Sequence, residues 1–122
     1  MAKYESRTAS LFPSAVDPSG PALIPLKLVQ RLVSSLAPER ILLFGSRARG
    51  LAHPASDIDL LLVGSWSMEP TQLLRHARHL VAHIVPRVDL VLRTPSEIEA
   101  ARAGQVPFLS SILETSVTIY IR

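Results

Sequence analysis

Apolar positions along the chain fall into two alternating rhythms that mark out its elements. After Pro25, a residue suited to the first helical position, Leu26, Val29, Leu32, Val33 and Leu36 recur at helical spacing until Pro38 stops the run. Ile41 to Phe44 is then a short apolar run ended by Gly45, the pattern of a buried strand opening into a turn. Ile58 to Val63 is a second such strand, apolar on both faces beyond Asp59, as expected when both sides of a sheet are covered. Pro70 to Val85 places Leu73, Ala77, Leu80, Val81 and Ile84 on one helical face before Pro86, and Arg87 to Leu92 is a third strand. Thr94-Pro95-Ser96-Glu97 fits a capping box with proline at the first helical position, which predicts a helix to about Ala103 with Gly104 as its stop. Phe108 to Leu113 reads as a last short helix and the β-branched stretch Val117 to Ile121 as a final strand.

Residues 1–21 contain Pro13, Pro18, Gly20 and Pro21 among scattered serines and are expected to form an N-terminal arm without regular structure. Residues 22–122 then form one α/β domain of about four strands and four helices. A length of 122 residues leaves no room for a second domain. With 48% hydrophobic residues the chain can bury a real core, and no apolar run approaches the roughly 18 residues of a membrane span. The absence of cysteine excludes a disulfide framework, a thiol nucleophile and thiolate metal sites. The opening residues lack the basic-then-apolar pattern of a secretory signal, so a cytoplasmic location is expected. A net charge of +3 favours an anionic ligand but is far from the field of a dedicated DNA binder, so direct nucleic-acid binding is not expected. Eleven of the thirteen basic residues are Arg, whose planar fork suits phosphate, although base composition of the coding sequence explains such a bias equally well.

The chemistry concentrates in three of the four aspartates. Asp57, Asp59 and Asp89 all sit in apolar strand contexts, where Asp is depleted and costly to bury unless paired or bound to a cation. Asp57 and Asp59, two residues apart on a strand, point to one face about 6.6 Å apart along the backbone. If the strand carrying Asp89 lies alongside, a third carboxylate reaches the same spot, and three like charges raise one another's pKa without a counter-ion. All-oxygen donors without Cys favour a hard ion, Mg²⁺ or Mn²⁺; the alternative is that these aspartates are strand-end caps or partners of arginines. Upstream, Gly45-Ser46-Arg47-Ala48-Arg49-Gly50 follows a strand directly, so that glycine would let backbone amides approach a ligand while a helix start and the Ser46 hydroxyl face phosphate oxygens. Arg47 and Arg49 would neutralise phosphate charge or contact a partner, or else are solvated surface charge.

The combination of Gly45-Ser46, the ten-residue spacer Arg47 to Ser56, Asp57-x-Asp59 and a third strand aspartate thirty residues later resembles the minimal nucleotidyltransferases of the DNA polymerase beta superfamily. The flanks LLFGSRARG, SDIDLLLV and VDLVL are similar too, and the resemblance covers about residues 25 to 121. It implies a polymerase-beta-like α/β (α+β) fold, a small mixed sheet flanked by helices. It further implies that Asp57 and Asp59 hold two Mg²⁺ ions, that Asp89 completes the second site and helps deprotonate the acceptor hydroxyl, and that Gly45 and Ser46 hold the β and γ phosphates of ATP. The larger members carry extra domains for the acceptor. A free-standing chain of this size looks like the antitoxin half of a HEPN/MNT toxin–antitoxin pair, which transfers AMP from ATP to a tyrosine of a HEPN ribonuclease toxin. Homo- or hetero-oligomers are compatible with that role and a membrane is not required. Two other readings remain open at this point: a non-catalytic nucleotide-binding subunit that silences its partner by contact, and a small-molecule adenylyltransferase.

Two further signals stand apart from this set. His76, His79 and His83 share one flank of the Pro70 to Val85 helix, either as a metal-binding spacing or as a polar flank beside the core. Trp66 would stack on an adenine or a partner surface, or fold back onto the core.

Overall fold

The computed structural model describes residues 10–11, 24–49, 57–85 and 87–122. In chain order the elements are β1 (Ser10–Leu11), α1 (Leu26–Leu36), β2 (Arg40–Phe44), α2 (Gly45–Ala48), β3 (Ile58–Val63), α3 (Pro70–Val81), β4 (Val88–Arg93), α4 (Pro95–Arg102), α5 (Pro107–Thr115) and β5 (Val117–Ile121). The strands form one mixed sheet of order β1-β5-β2-β3-β4. Among the described strands only β3 and β4 run parallel. A parallel pair needs a crossover connection, and α3 supplies it.

The alternation of β2 and β3 assigns their side chains to two cores. Ile41, Leu43, Leu60 and Leu62 meet Leu28 and Leu32 of α1 and Leu73 and Ala77 of α3 on one face. Leu42, Leu61 and Val63 meet Ile98 of α4 and Leu109 and Ile112 of α5 on the other. Because both faces are covered, these strands read as continuous apolar runs, as the sequence pattern anticipates. The domain is therefore a mixed sheet flanked by helices, the fold expected of the resemblance.

Local chemistry accounts for the element ends. The α1 helix stops at Ala37, which adopts a left-handed conformation with its N–H on the Val33 carbonyl at 3.0 Å, just ahead of Pro38. The predicted capping box at α4 is present: Glu97 N–H donates to Thr94 Oγ1 at 3.2 Å and Thr94 N–H to Glu97 Oε1 at 2.8 Å.

Two expectations are corrected. The helix predicted to reach Val85 ends at Val81, where Ala82 N–H turns back to the His79 carbonyl at 3.4 Å and Ile84 N–H to the Val81 carbonyl at 3.0 Å. These tighter turns break the α ladder while Leu80, Ile84 and Val85 still pack on the core, so apolar spacing alone could not show the change of winding. Within the predicted arm, Ser10–Leu11 forms a strand antiparallel to β5. The free edge of β5 supplies the partner, and the rest of residues 1–21 lies outside the described residues.

Candidate functional site

Three strand ends meet at one margin of the sheet: the last residue of β2 and the first residues of β3 and β4. The register sets Phe44 opposite Asp59, and Asp59 opposite Asp89. Asp59 shares its face with Leu61 and Val63, so it lies on the side of the sheet that carries α4 and α5. At its start β3 thus exchanges leucine for a half-buried carboxylate.

Gly45 begins α2 with φ +76°, and a Cβ there would overlap Asp59 Oδ2 and stand 3.1 Å from its Cγ. Glycine is required twice, by the backbone and by the carboxylate packed against it. Sequence reasoning gave this glycine the task of letting amides approach a phosphate; what approaches it in the structure is Asp59. The next residue, Ser46, is half-buried and Arg49 is exposed, with its N–H on the Ser46 carbonyl at 3.2 Å. Arg47 is 6% exposed, and its Nε donates to the backbone carbonyl of Asp57 at 3.3 Å. The guanidinium therefore ties the Gly-Ser turn to the entry of β3, and the reading of Arg47 as solvated charge does not hold.

Asp59 and Asp89 are brought together side by side, close enough to share a hydrogen bond. Burial first, then the charge and hydrogen bond of Asp89, then the charge of Asp57, push the Asp59 pKa up to about 6, against the opposing pull of Arg47. Asp57 stands differently. It precedes β3, is exposed, and its Oδ1 lies 3.6 Å from Arg87 Nη1. Among the described residues no three His, Asp or Glu side chains form a ready metal cluster. The expected convergence of three carboxylates is thus present for Asp59 and Asp89 and altered for Asp57. The cause is the parallel register: pairing Ile58 with Val88 sets residue 57 beside residue 87, which is an arginine. Costly burial, expected of all three, applies to Asp59 alone, since Asp57 and Asp89 are exposed.

The donor set nevertheless fits a hard divalent cation. It is all oxygen, it carries a like-charge pair that a cation relieves, and an exposed ion pair such as Asp57–Arg87 holds its carboxylate by no more than about 1 kcal/mol. Residues 50–56 of the motif spacer lie outside the described residues.

The two outlying signals are placed away from the carboxylates. Trp66 packs against the core and donates Nε1–H to the Leu36 carbonyl at 2.8 Å, with its ring filling the space above Gly64. His76, His79 and His83 are exposed, and the rings of the last two meet edge-on at 6.4 Å; among the described residues no carboxylate joins them in a metal cluster. The sequence left open an arginine partner for these aspartates without naming Arg87; the parallel pairing of the third strand with the second identifies it.

The profile of the nucleotidyltransferase domain family matches residues 26–119, which include every candidate residue at this margin of the sheet. The chain belongs to the nucleotidyltransferase domain family. Its fold is similar to that in a crystal structure of a mutant of the toxin–antitoxin MntA–HpeT, with a TM-score of 0.53 and 20% identity over 76% of this chain and 68% of that one. A candidate nucleotidyltransferase from Sulfolobus solfataricus aligns at 27% identity and a TM-score of 0.47, over 75% of this chain and 72% of that one. Nucleotidyltransferase domains use a nucleoside triphosphate and a divalent metal. No described helix of this chain is long and apolar enough to cross a membrane.

Proposed function

We propose that this nucleotidyltransferase uses Mg²⁺ and ATP to transfer AMP to a hydroxyl of a partner protein, a tyrosine of a HEPN-type ribonuclease toxin, and so acts as a cytoplasmic antitoxin. The observation that carries the reading is the Asp59 carboxylate packed against the Gly45 turn, with Asp89 beside it in the parallel register. The toxin–antitoxin pair named among the similar structures supports the choice of a protein acceptor.

In the proposed reaction the acceptor oxygen attacks the α-phosphorus of ATP, the bond from that phosphorus to the bridging oxygen breaks, and pyrophosphate leaves. Gly45 and Ser46 hold the β and γ phosphates, the amides and the Ser46 hydroxyl donating to their oxygens. Asp89, the more exposed of the two adjacent carboxylates, is the group that takes the proton of the acceptor hydroxyl in this reading. Asp57, Asp59 and Asp89 would hold two Mg²⁺ ions, which when bound neutralise phosphate charge and favour the ionised acceptor. Asp57 takes part by leaving Arg87. Arg47 keeps the Gly-Ser turn and β3 in register, and the exposed Arg49 faces the triphosphate charge.

The test is incubation with Mg²⁺ and α-labelled ATP in lysate of the source cell, separated into protein-bound and small-molecule label. The double variant Asp57→Ala with Asp59→Ala is the control. Label on one small protein, lost with the variant, supports the proposal. Label on a metabolite would replace it with small-molecule adenylylation. A partner that is silenced without label, by the wild type and the double variant alike, would make the chain a contact-only subunit.

A further inference from the structure

The last strand of the sheet, β4, has no strand partner on its outer side among the described residues. A cleft of about 400 Å³ lies on that edge and straddles it. Its walls come from both faces of the sheet: Leu73 and Leu74 of α3 on one side, Glu97 of α4 on the other, with Met68 at the rim and β4 residues from Leu90 onward as the floor. A pocket confined to one face would hold a side chain; one wrapped around a strand edge exposes main chain.

The hydrogen bonds to β3 fix which main-chain groups those are. Ile58 N–H donates to the Arg87 carbonyl and Gly64 N–H to the Arg93 carbonyl, each at 3.0 Å. In a parallel ladder this commits the N–H and C=O groups of odd-numbered β4 residues to β3 and turns those of Val88, Leu90 and Leu92 outward. The outward groups of Leu90 and Leu92 therefore face the cleft, where the Leu92 carbonyl already accepts from Arg93 Nη1 at 2.9 Å, a bond that an incoming main-chain N–H shares or replaces. The same strand begins with Asp89, beside Asp59, so the edge runs without interruption from the carboxylates into the cleft.

We infer that the acceptor protein docks by laying an extended segment along β4, pairing with the outward main chain of Leu90 and Leu92 and presenting its hydroxyl residue opposite Asp89. This rests on the proposed transfer to a protein acceptor. Main-chain pairing supplies affinity in such strand addition, and pockets for alternate side chains supply selectivity. Those pockets set the pattern of the segment. A side chain opposite Asp89 projects to the face of the carboxylates, and one opposite Leu92 projects to the other face, where Met68, Leu73 and Leu74 form an apolar wall. Asp89 and Leu92 are three residues apart, about 10 Å along the strand. The segment thus carries a hydroxyl residue and a large apolar residue three positions apart. Met68, 42% exposed, gives the wall an adaptable surface.

The test uses ten-residue peptides bearing one tyrosine and one leucine, three or two positions apart, each unmodified or N-methylated at alternate amides. They are offered with Mg²⁺ and α-labelled ATP, and amide exchange of the protein is followed in parallel. The expected result is labelling of the three-apart peptide, at least about tenfold above the two-apart one, with exchange at the Leu90 and Leu92 amides slowed by a similar factor. N-methylation in the pairing register removes both effects and in the other register removes neither. Met68→Arg lowers labelling about tenfold while binding of ATP with Mg²⁺ is unchanged. Equal labelling of methylated and unmodified peptides overturns the inference. So does a Leu90 amide as slow as that of Leu61 before any peptide is added, with the slowing either independent of protein concentration, which would assign the edge to the chain's own residues, or dependent on it, which would assign it to a second copy. Labelling of a lysate protein without protection at Leu90 and Leu92 overturns the docking and leaves the activity standing. Absence of label on every peptide and every lysate protein overturns the activity, and the docking with it.

Discussion

Replacing Asp59 by asparagine should make the metal-free protein more stable while abolishing its activity. The ionised Asp59 is opposed by burial, by Asp89 and by Asp57, and titrates near pH 6 against an ordinary value of 3.8. At about 1.4 kcal/mol per pH unit, a shift of roughly two units corresponds to about 3 kcal/mol. Because the side chain is only half-buried, solvent screening reduces this to about 1 kcal/mol. The folded-state pKa is raised, so the folded protein takes up its proton first as pH falls. The penalty is therefore full above about pH 6 and fades as pH drops toward 3.8. Asparagine removes the charge and can still donate a hydrogen bond to Asp89. Urea denaturation with a chelator present should show Asp59→Asn more stable than wild type by about 1 kcal/mol at pH 8, with the gap closing toward pH 4. Excess Mg²⁺ should stabilise the wild type and do less for the variant. A variant equal to or weaker than wild type at pH 8, or a gap that widens toward acid, would refute the reasoning.

Other substitutions separate the roles of neighbouring residues. Gly45→Ala meets both a positive φ and the Asp59 carboxylate and should cost more than about 2 kcal/mol in denaturant melts, with loss of ATP binding; Gly104→Ala, at φ +81° but with open space around it, should cost about 1 kcal/mol and leave ATP binding intact. Arg47→Ala removes a buried side chain and the donor to the Asp57 carbonyl, so thermal unfolding should report a loss of about 1–3 kcal/mol, whereas the exposed Arg49→Ala should fall within about 0.5 kcal/mol and raise the KM for ATP. Thr94→Ala breaks the reciprocal cap of α4 and should cost about 1 kcal/mol by the same measurement.

Much of the site could be read because its chemistry conflicts with its surroundings. An aspartate opening a leucine-rich strand, preceded by a Gly-Ser turn after another apolar strand, is costly enough to demand a cause, and Asp59 and Gly45 are indeed in contact. The same reasoning overreached at Asp57. A two-residue alternation fixes direction only inside a strand, and Asp57 lies one residue before β3, beside an arginine that the sequence places thirty residues away. Arg47 carried no local mark of burial; its guanidinium is enclosed only because α2 and β3 meet across the spacer.

The sequence by itself determined the order and type of the main elements, the stops at Pro38 and Gly104, the α4 cap, and the candidate residues Gly45, Asp59 and Asp89. These depend on interactions within a few residues, where spacing, φ and capping groups are encoded side by side. The tertiary structure alone decided that β4 runs parallel to β3, that Asp89 falls opposite Asp59 and not one residue off, that Arg87 holds Asp57, and that β4 is the last of the described strands with the main chain of Leu90 and Leu92 turned outward. Register between distant strands is fixed by how two separate cores pack on opposite faces of the sheet, and a slip of one residue would move every side chain to the wrong face. That energy is shared by the whole domain, and no single stretch of the sequence displays it.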